Sequence, residues 1–126
     1  GSTETSFGLL SAPWVEVYDP LNWHDPVTNP TQVKPTIAGT YRITAHGSWA
    51  DSTAGQRYFN IRKNSSGGEL VAFLASSAVT TGMAVSGVMS FNGTTDVLDV
   101  TGWQNASVGA LQAKNLRLTV ELLRST

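Results

Sequence analysis

Between residues 39 and 63 the chain twice alternates apolar and polar side chains with a period of two, a pattern that keeps one face apolar on a strand and on nothing else. Tyr41, Ile43, Ala45, Gly47 and Trp49 share one face of the first run, and Phe59 and Ile61 share one face of the second. Joined by a polar, Gly-containing loop, the two runs read as a half-buried antiparallel pair. Their opposite faces carry Arg42, His46, Tyr58, Asn60 and Arg62, a mixture of aromatic, amide and guanidinium groups that calls for something to touch.

The rest of the sequence has the same texture. Strands are expected over residues 14–18, 32–36, 39–49, 56–63, 69–76, 83–91, 96–103 and 116–123, and no stretch keeps a helical period. Turn residues stand between them at 64–68, at Asn92-Gly93 and around Asn105 to Gly109, where Asn and Gly tolerate the positive φ of tight turns. Eight short strands in one small all-β domain point to a sandwich or a jelly roll. Residues 19–35 interrupt the rhythm with Pro20, Pro26, Pro30 and Pro35, which exclude a central strand and favour a stiff, extended loop. Residues 1–10 read as a tag remnant and a lead-in from a preceding stem, and residues 11–126 as the head domain.

A chain of 126 residues can bury roughly two thirds of its unfolded surface around a single core. Its 8 Lys+Arg against 9 Asp+Glu give none of the broad positive field that nucleic acid or anionic membranes attract. The absence of cysteine removes disulfides and thiolate metal sites. No apolar run reaches the roughly 18 residues that read as a membrane-spanning helix, so neither nucleic acid binding nor membrane insertion is expected.

Chemistry-bearing groups are few. No nucleophile elbow, phosphate loop or zinc-protease motif occurs, and His46, Ser48 and Asp51 have the residue types of a triad without its usual dispersal along the chain. Asp96 and Asp99 fall on opposite faces of one strand and do not converge as an acid/base pair. No enzyme is expected. Asp19, Asn22, His24 and Asp25 offer oxygen and imidazole ligands in one loop, with Asp19 and Asp25 as candidate calcium ligands, but Asp before Pro is also an ordinary turn starter. The expected cofactor is none.

Aromatic placement points to a ligand instead. Trp14 and Trp49 fall in phase with core positions, whereas Trp103 follows Asp99 and Thr101 on the polar phase and Trp23 sits in the Pro-rich loop, both expected to be exposed. A flat exposed ring beside amide, carboxylate or guanidinium groups suits a saccharide, whose CH face stacks while its hydroxyls seek fixed partners. The candidate contacts are Trp23, His24, Asp25, Trp103, Asn105, Asp51 and Arg57. Sequons at Asn64, Asn92 and Asn105 read as by-products of Asn-rich turns. In the run 69–75 both phases are apolar, so this strand is expected to be covered on both sides, by another copy of the chain or by the loop 19–35.

Taken in order, Gly39-Thr40-Tyr41-Arg42-Ile43-Thr44-Ala45 preceded by Pro35-Thr36-Ile37, then Arg57-Tyr58-Phe59-Asn60-Ile61-Arg62-Lys63-Asn64, then Phe91 to Val100, and the closing apolar strand 116–123 resemble the trimeric jelly roll of the complement q-subcomponent head and tumour necrosis factor. With Trp14 and the Pro/Asp-rich loop included, the chain is similar to domains at the tips of bacteriophage tails and bacterial collagen-like fibres. The resemblance implies a two-sheet antiparallel jelly-roll sandwich that assembles as a homotrimer with Tyr58, Arg62, His46 and Phe73 at its interface, in an extracellular or virion fibre tip. Together with the exposed aromatics it leads to a receptor-binding head for cell-surface saccharide, the alternative being a purely structural trimerisation and capping domain. Two departures stand out: Asn64 leads into Ser65-Ser66-Gly67-Gly68, which implies a longer hairpin, and the penultimate strand is opened by Gly93-Thr94-Thr95-Asp96.

Overall fold

The computed structural model describes residues 3–6, 21–25, 27–49, 57–74, 81–104 and 113–126. Among them run nine strands: β1 Thr3–Ser6, β2 His24–Asp25, β3 Asn29–Val33, β4 Gly39–Trp49, β5 Arg57–Lys63, β6 Ser66–Leu74, β7 Thr81–Phe91, β8 Leu98–Gln104 and β9 Ala113–Ser125. They form two antiparallel sheets, one of six strands in the order β2-β3-β8-β5-β6 with β1 also on β8, the other of three in the order β7-β4-β9. The all-β, two-sheet expectation therefore holds, and no helix occurs among the described residues.

Alternation explains the layering. From the three-stranded sheet, Tyr41, Ile43, Ala45, Trp49, Val85, Met89, Phe91 and Leu116 point inward; from the six-stranded sheet, Val33, Phe59, Ile61, Leu98 and Val100 meet them. Tyr41, Ile43, Phe59, Ile61 and Leu98 are fully excluded from water, and at roughly 1.5–3 kcal/mol for each large buried side chain this layer supplies the main driving force. Polar atoms inside it are satisfied: the Tyr41 hydroxyl donates to the Ile37 carbonyl, and the Trp49 indole N–H points at the Met83 sulfur, 3.0 Å away.

Several expectations change. The two alternating runs that open the sequence argument are not a hairpin: β4 and β5 lie in different sheets and face each other across the core. Period two fixes which face is buried but not which strand is the neighbour. Thr3–Ser6, read as lead-in, is a strand paired with β8 from Thr3↔Gln104 to Ser6↔Thr101. The Pro-rich stretch holds the β2–β3 hairpin; Pro30 is tolerated because β3 joins β8 only at Gln32 and Val33. The expected strand at 14–18 lies outside the described residues, as do the side chains of the run 69–75. The strand shown to be buried on both faces is β8, where Leu98, Asp99, Val100 and Thr101 are all inaccessible.

The expected long hairpin after Asn64 is instead a two-residue turn. Lys63 pairs with Ser66, and Asn64 and Ser65 take φ of 56° and 57°, the double left-handed geometry that matches the twist of a tight hairpin. Asn92-Gly93 marks the crossing from β7 in one sheet to β8 in the other. There the Asn92 side-chain oxygen accepts from the backbone N–H groups of Thr94, Thr95 and Asp96 at 2.9–3.0 Å.

Candidate functional site

On the outer face of the six-stranded sheet, β5 and β8 present two short series that mirror each other. Tyr58, Asn60 and Arg62 run one way and Trp103, Thr101 and Asp99 the other, and antiparallel register sets Tyr58 against Trp103, Asn60 against Thr101 and Arg62 against Asp99. Each rung has its own chemistry. Tyr58 and Trp103 stack with ring centroids 5.2 Å apart and planes 13° from parallel, both half-buried. Arg62 grips Asp99 through two parallel N–H donors, Nε to Oδ1 at 2.9 Å and Nη2 to Oδ2, the bidentate geometry that guanidinium and carboxylate favour.

The middle rung is unusual. Asn60 and Thr101 are buried, and the Asn60 Oδ1 and Thr101 Oγ1 atoms lack a hydrogen-bond partner, a state that costs about 1–3 kcal/mol per group. Asn60 Oδ1 is an acceptor and the Thr101 hydroxyl can both donate and accept, and both atoms are closed to solvent. Sequence reasoning placed Asn60 and Thr101 on the polar phase without giving either a role, and it missed Asp99 as the counter-ion of Arg62. The available signal was the reversed order of the two series, aromatic–polar–basic on one strand and acidic–polar–aromatic on the other.

Other expected residues separate from this face. Register places Phe73 opposite Tyr58, so the backbone brings together two of the four residues assigned to a trimer interface, and Arg62 joins them two rungs away. His46 does not: it is exposed on the outer face of the other sheet, paired with Ala84 and Arg117. Arg57 opens β5 in phase with the core-facing Phe59 and Ile61, opposite to Tyr58, and its side chain lies outside the described residues. Asn105, Asp51, Asp19 and Trp14 also lie outside them.

The loop candidates make contacts within the fold. Trp23, expected to be exposed, is half-buried: its ring meets Tyr41 edge-on at 5.8 Å and its indole N–H donates to Thr36 Oγ1 at 2.8 Å, so it extends the core. His24 Nε2 lies 2.9 Å from the Pro30 carbonyl oxygen. Asp25 Oδ1 accepts from the backbone N–H groups of Thr28 at 3.0 Å and Val27 at 2.9 Å, and these two bonds hold its carboxyl below the ordinary value. Such bonds are those of a carboxylate folding its own turn. No group of three or more metal-ligating side chains occurs among the described residues.

The sequon asparagines are occupied as well. Asn64 donates through Nδ2 to Asp96 Oδ1 and accepts the Val97 N–H at Oδ1, each at 2.9 Å, and Asn92 is committed to its loop as described above. No protein-family model matches the chain, and no curated protein matches it either. The mirrored rungs of β5 and β8 are thus the one place where the described side chains combine an aromatic platform with unsatisfied polar atoms.

Proposed function

We propose that the chain is a receptor-binding head, a homotrimeric jelly-roll domain at the tip of a phage tail or other fibre-like protein, extracellular or on the virion, that recognises cell-surface saccharide. The observation that carries this reading is the stacked Tyr58–Trp103 pair, half-buried on the outer sheet face. A sugar ring lays its apolar CH face on such a platform while its hydroxyls seek polar partners at the rim. The jelly-roll part is supported by strand order, since successive strands from β3 to β5 and from β6 to β9 change sheet. Trimerisation rests on the resemblance of residues 39–45, 57–64, 91–100 and 116–123. Three weak sites on one rigid head gain roughly 10²–10⁴ in avidity when they engage together.

Titration of the domain against host-envelope glycans tests the proposal. Trp103→Ala is expected to lower affinity about tenfold, the loss of a stacking contact worth roughly 1–1.5 kcal/mol, while Trp23→Ala leaves affinity unchanged. Silence of the wild type against all such glycans would overturn it in favour of a purely structural trimerisation and capping domain. The observation favouring that second reading is the exposure of Leu122, Leu123 and Val88 on the three-stranded sheet. Catalysis has no part in either reading, and polysaccharide turnover by the wild type would refute both.

A further inference from the structure

The three-stranded sheet ends in β9, a 13-residue strand whose neighbour among the described strands is β4 alone. A long open edge is a template for another strand, and proteins that must stay single usually blunt it. Here the middle of the edge carries no bulge. Register shifts opposite Thr40/Tyr41 and His46/Ser48 bracket an unbroken ladder from Tyr41↔Leu122 to His46↔Arg117. Within it Leu118 and Val120 pack against the core yet stay half-buried, and Leu122 is 39% exposed.

The sequence of this window is self-complementary. Around Thr119, Arg117 is mirrored by Glu121, Leu118 by Val120 and Leu116 by Leu122. We propose that a second copy of the chain docks on this edge, β9 against β9, antiparallel about a twofold axis through Thr119. Only this centre opposes Arg117 to Glu121 in both halves. Shifting it by one residue sets Arg117 against Thr119 or Leu123, and a half-step shift would join the inner face of one copy to the outer face of the other. An isologous contact of this kind closes on itself and leaves no growing end.

The outer rows then run on across the joint. Arg42 already lies 3.8 Å from Glu121, both groups about half exposed, and Arg117 of the second copy takes the open side of the same carboxylate. Ser86, Thr44 and Thr119 lie in register on β7, β4 and β9, with Thr44 and Ser86 hydroxyls 2.9 Å apart, and their row meets its own image at the axis. This contact lies on the opposite sheet from the saccharide platform and is independent of it.

Light scattering on the wild type, R117E, E121R and R117E/E121R reads the contact directly. Whatever multiplicity the rest of the molecule imposes, wild type and the double variant are expected at twice the mass of either single variant, and each single variant to associate about tenfold more weakly through like charges on both symmetric rungs. All four are expected to bind glycan equally per chain, which separates this test from that of the saccharide reading. The chain has no cysteine, so T119C offers a second readout: it forms a disulfide-linked pair under mild oxidant much faster than S86C, at an exposed position on the same face. Masses unaffected by the single swaps, or equal crosslinking of T119C and S86C, overturn the proposal. So does a wild type of single mass with protected β9 amides, which would put residues 14–18 of the same chain on the edge.

Discussion

Asp99 is only 6% exposed and holds Arg62 as its counter-ion, and the energetics of such a pair are asymmetric. Removing one partner strands a buried charge, whereas replacing both with apolar groups of similar size removes the desolvation cost as well. Arg62→Met is therefore expected to lower stability by about 3 kcal/mol, and Arg62→Met/Asp99→Leu to recover most of that loss, both read from urea midpoints; a single variant as stable as wild type would mean the pair is immaterial. Arg62 illustrates what the sequence hides. Its alternation phase was legible, and so was that of Trp103. That a residue 37 positions away satisfies it depends on register, which no local pattern encodes. Trp23 failed for a related reason, because a Pro-rich loop looks solvent-exposed until Thr36 and Tyr41 are seen to receive the ring.

Strands β4 and β5 were legible almost to the residue, because alternation over seven or more positions admits no other structure. The elements missed were β1 and β2, of four and two residues, too short to show a period, while the strand expected over 32–36 lies three residues earlier, as β3 Asn29–Val33. Turns were half legible: Asn64 announces a positive φ, but Ser65 beside it does not. A Ser at φ 57° carries about 1 kcal/mol of steric cost that glycine avoids, partly offset by glycine's greater freedom when unfolded. Ser65→Gly should raise stability by roughly 0.5 kcal/mol. Gly93→Ala should do the reverse: the backbone stands at φ +77° and a Cβ would come within 2.6 Å of the Ala38 nitrogen, so a loss of about 2 kcal/mol or more is expected. Thermal midpoints of the two variants shifting in the same direction would contradict this account of the turns.

The two sheets are tied at one end by a polar clamp as well as by the core between them. Asp96, in the crossing from β7 to β8, accepts from Asn64 Nδ2 at Oδ1 and from the Asn92 backbone N–H at Oδ2, each at 2.9 Å, with Lys63 Nζ 3.6 Å away. Asn64 and Lys63 belong to one sheet's hairpin and Asn92 directly follows β7 of the other, so a single carboxylate joins both halves of the molecule. The Asn64 bond is the largest influence on its pKa; burial opposes it, and the Asn92 N–H and Lys63 add to it, so that the carboxyl is held below the ordinary 3.8. In the unfolded chain the same group takes up a proton near 3.8, and in the folded chain only at lower pH. Its contribution is therefore complete above that value and is lost as pH falls below it, through the folded pKa. Asp96→Asn retains one acceptor oxygen where two are used, and should cost about 1–2 kcal/mol near neutral pH. Because it no longer binds a proton there, its urea midpoint should also fall less steeply than that of the wild type between about pH 4 and pH 2. Parallel acid limbs for the two proteins would show that the acid sensitivity of the sandwich lies elsewhere, with Asp25, likewise depressed by its turn, the next carboxylate to replace.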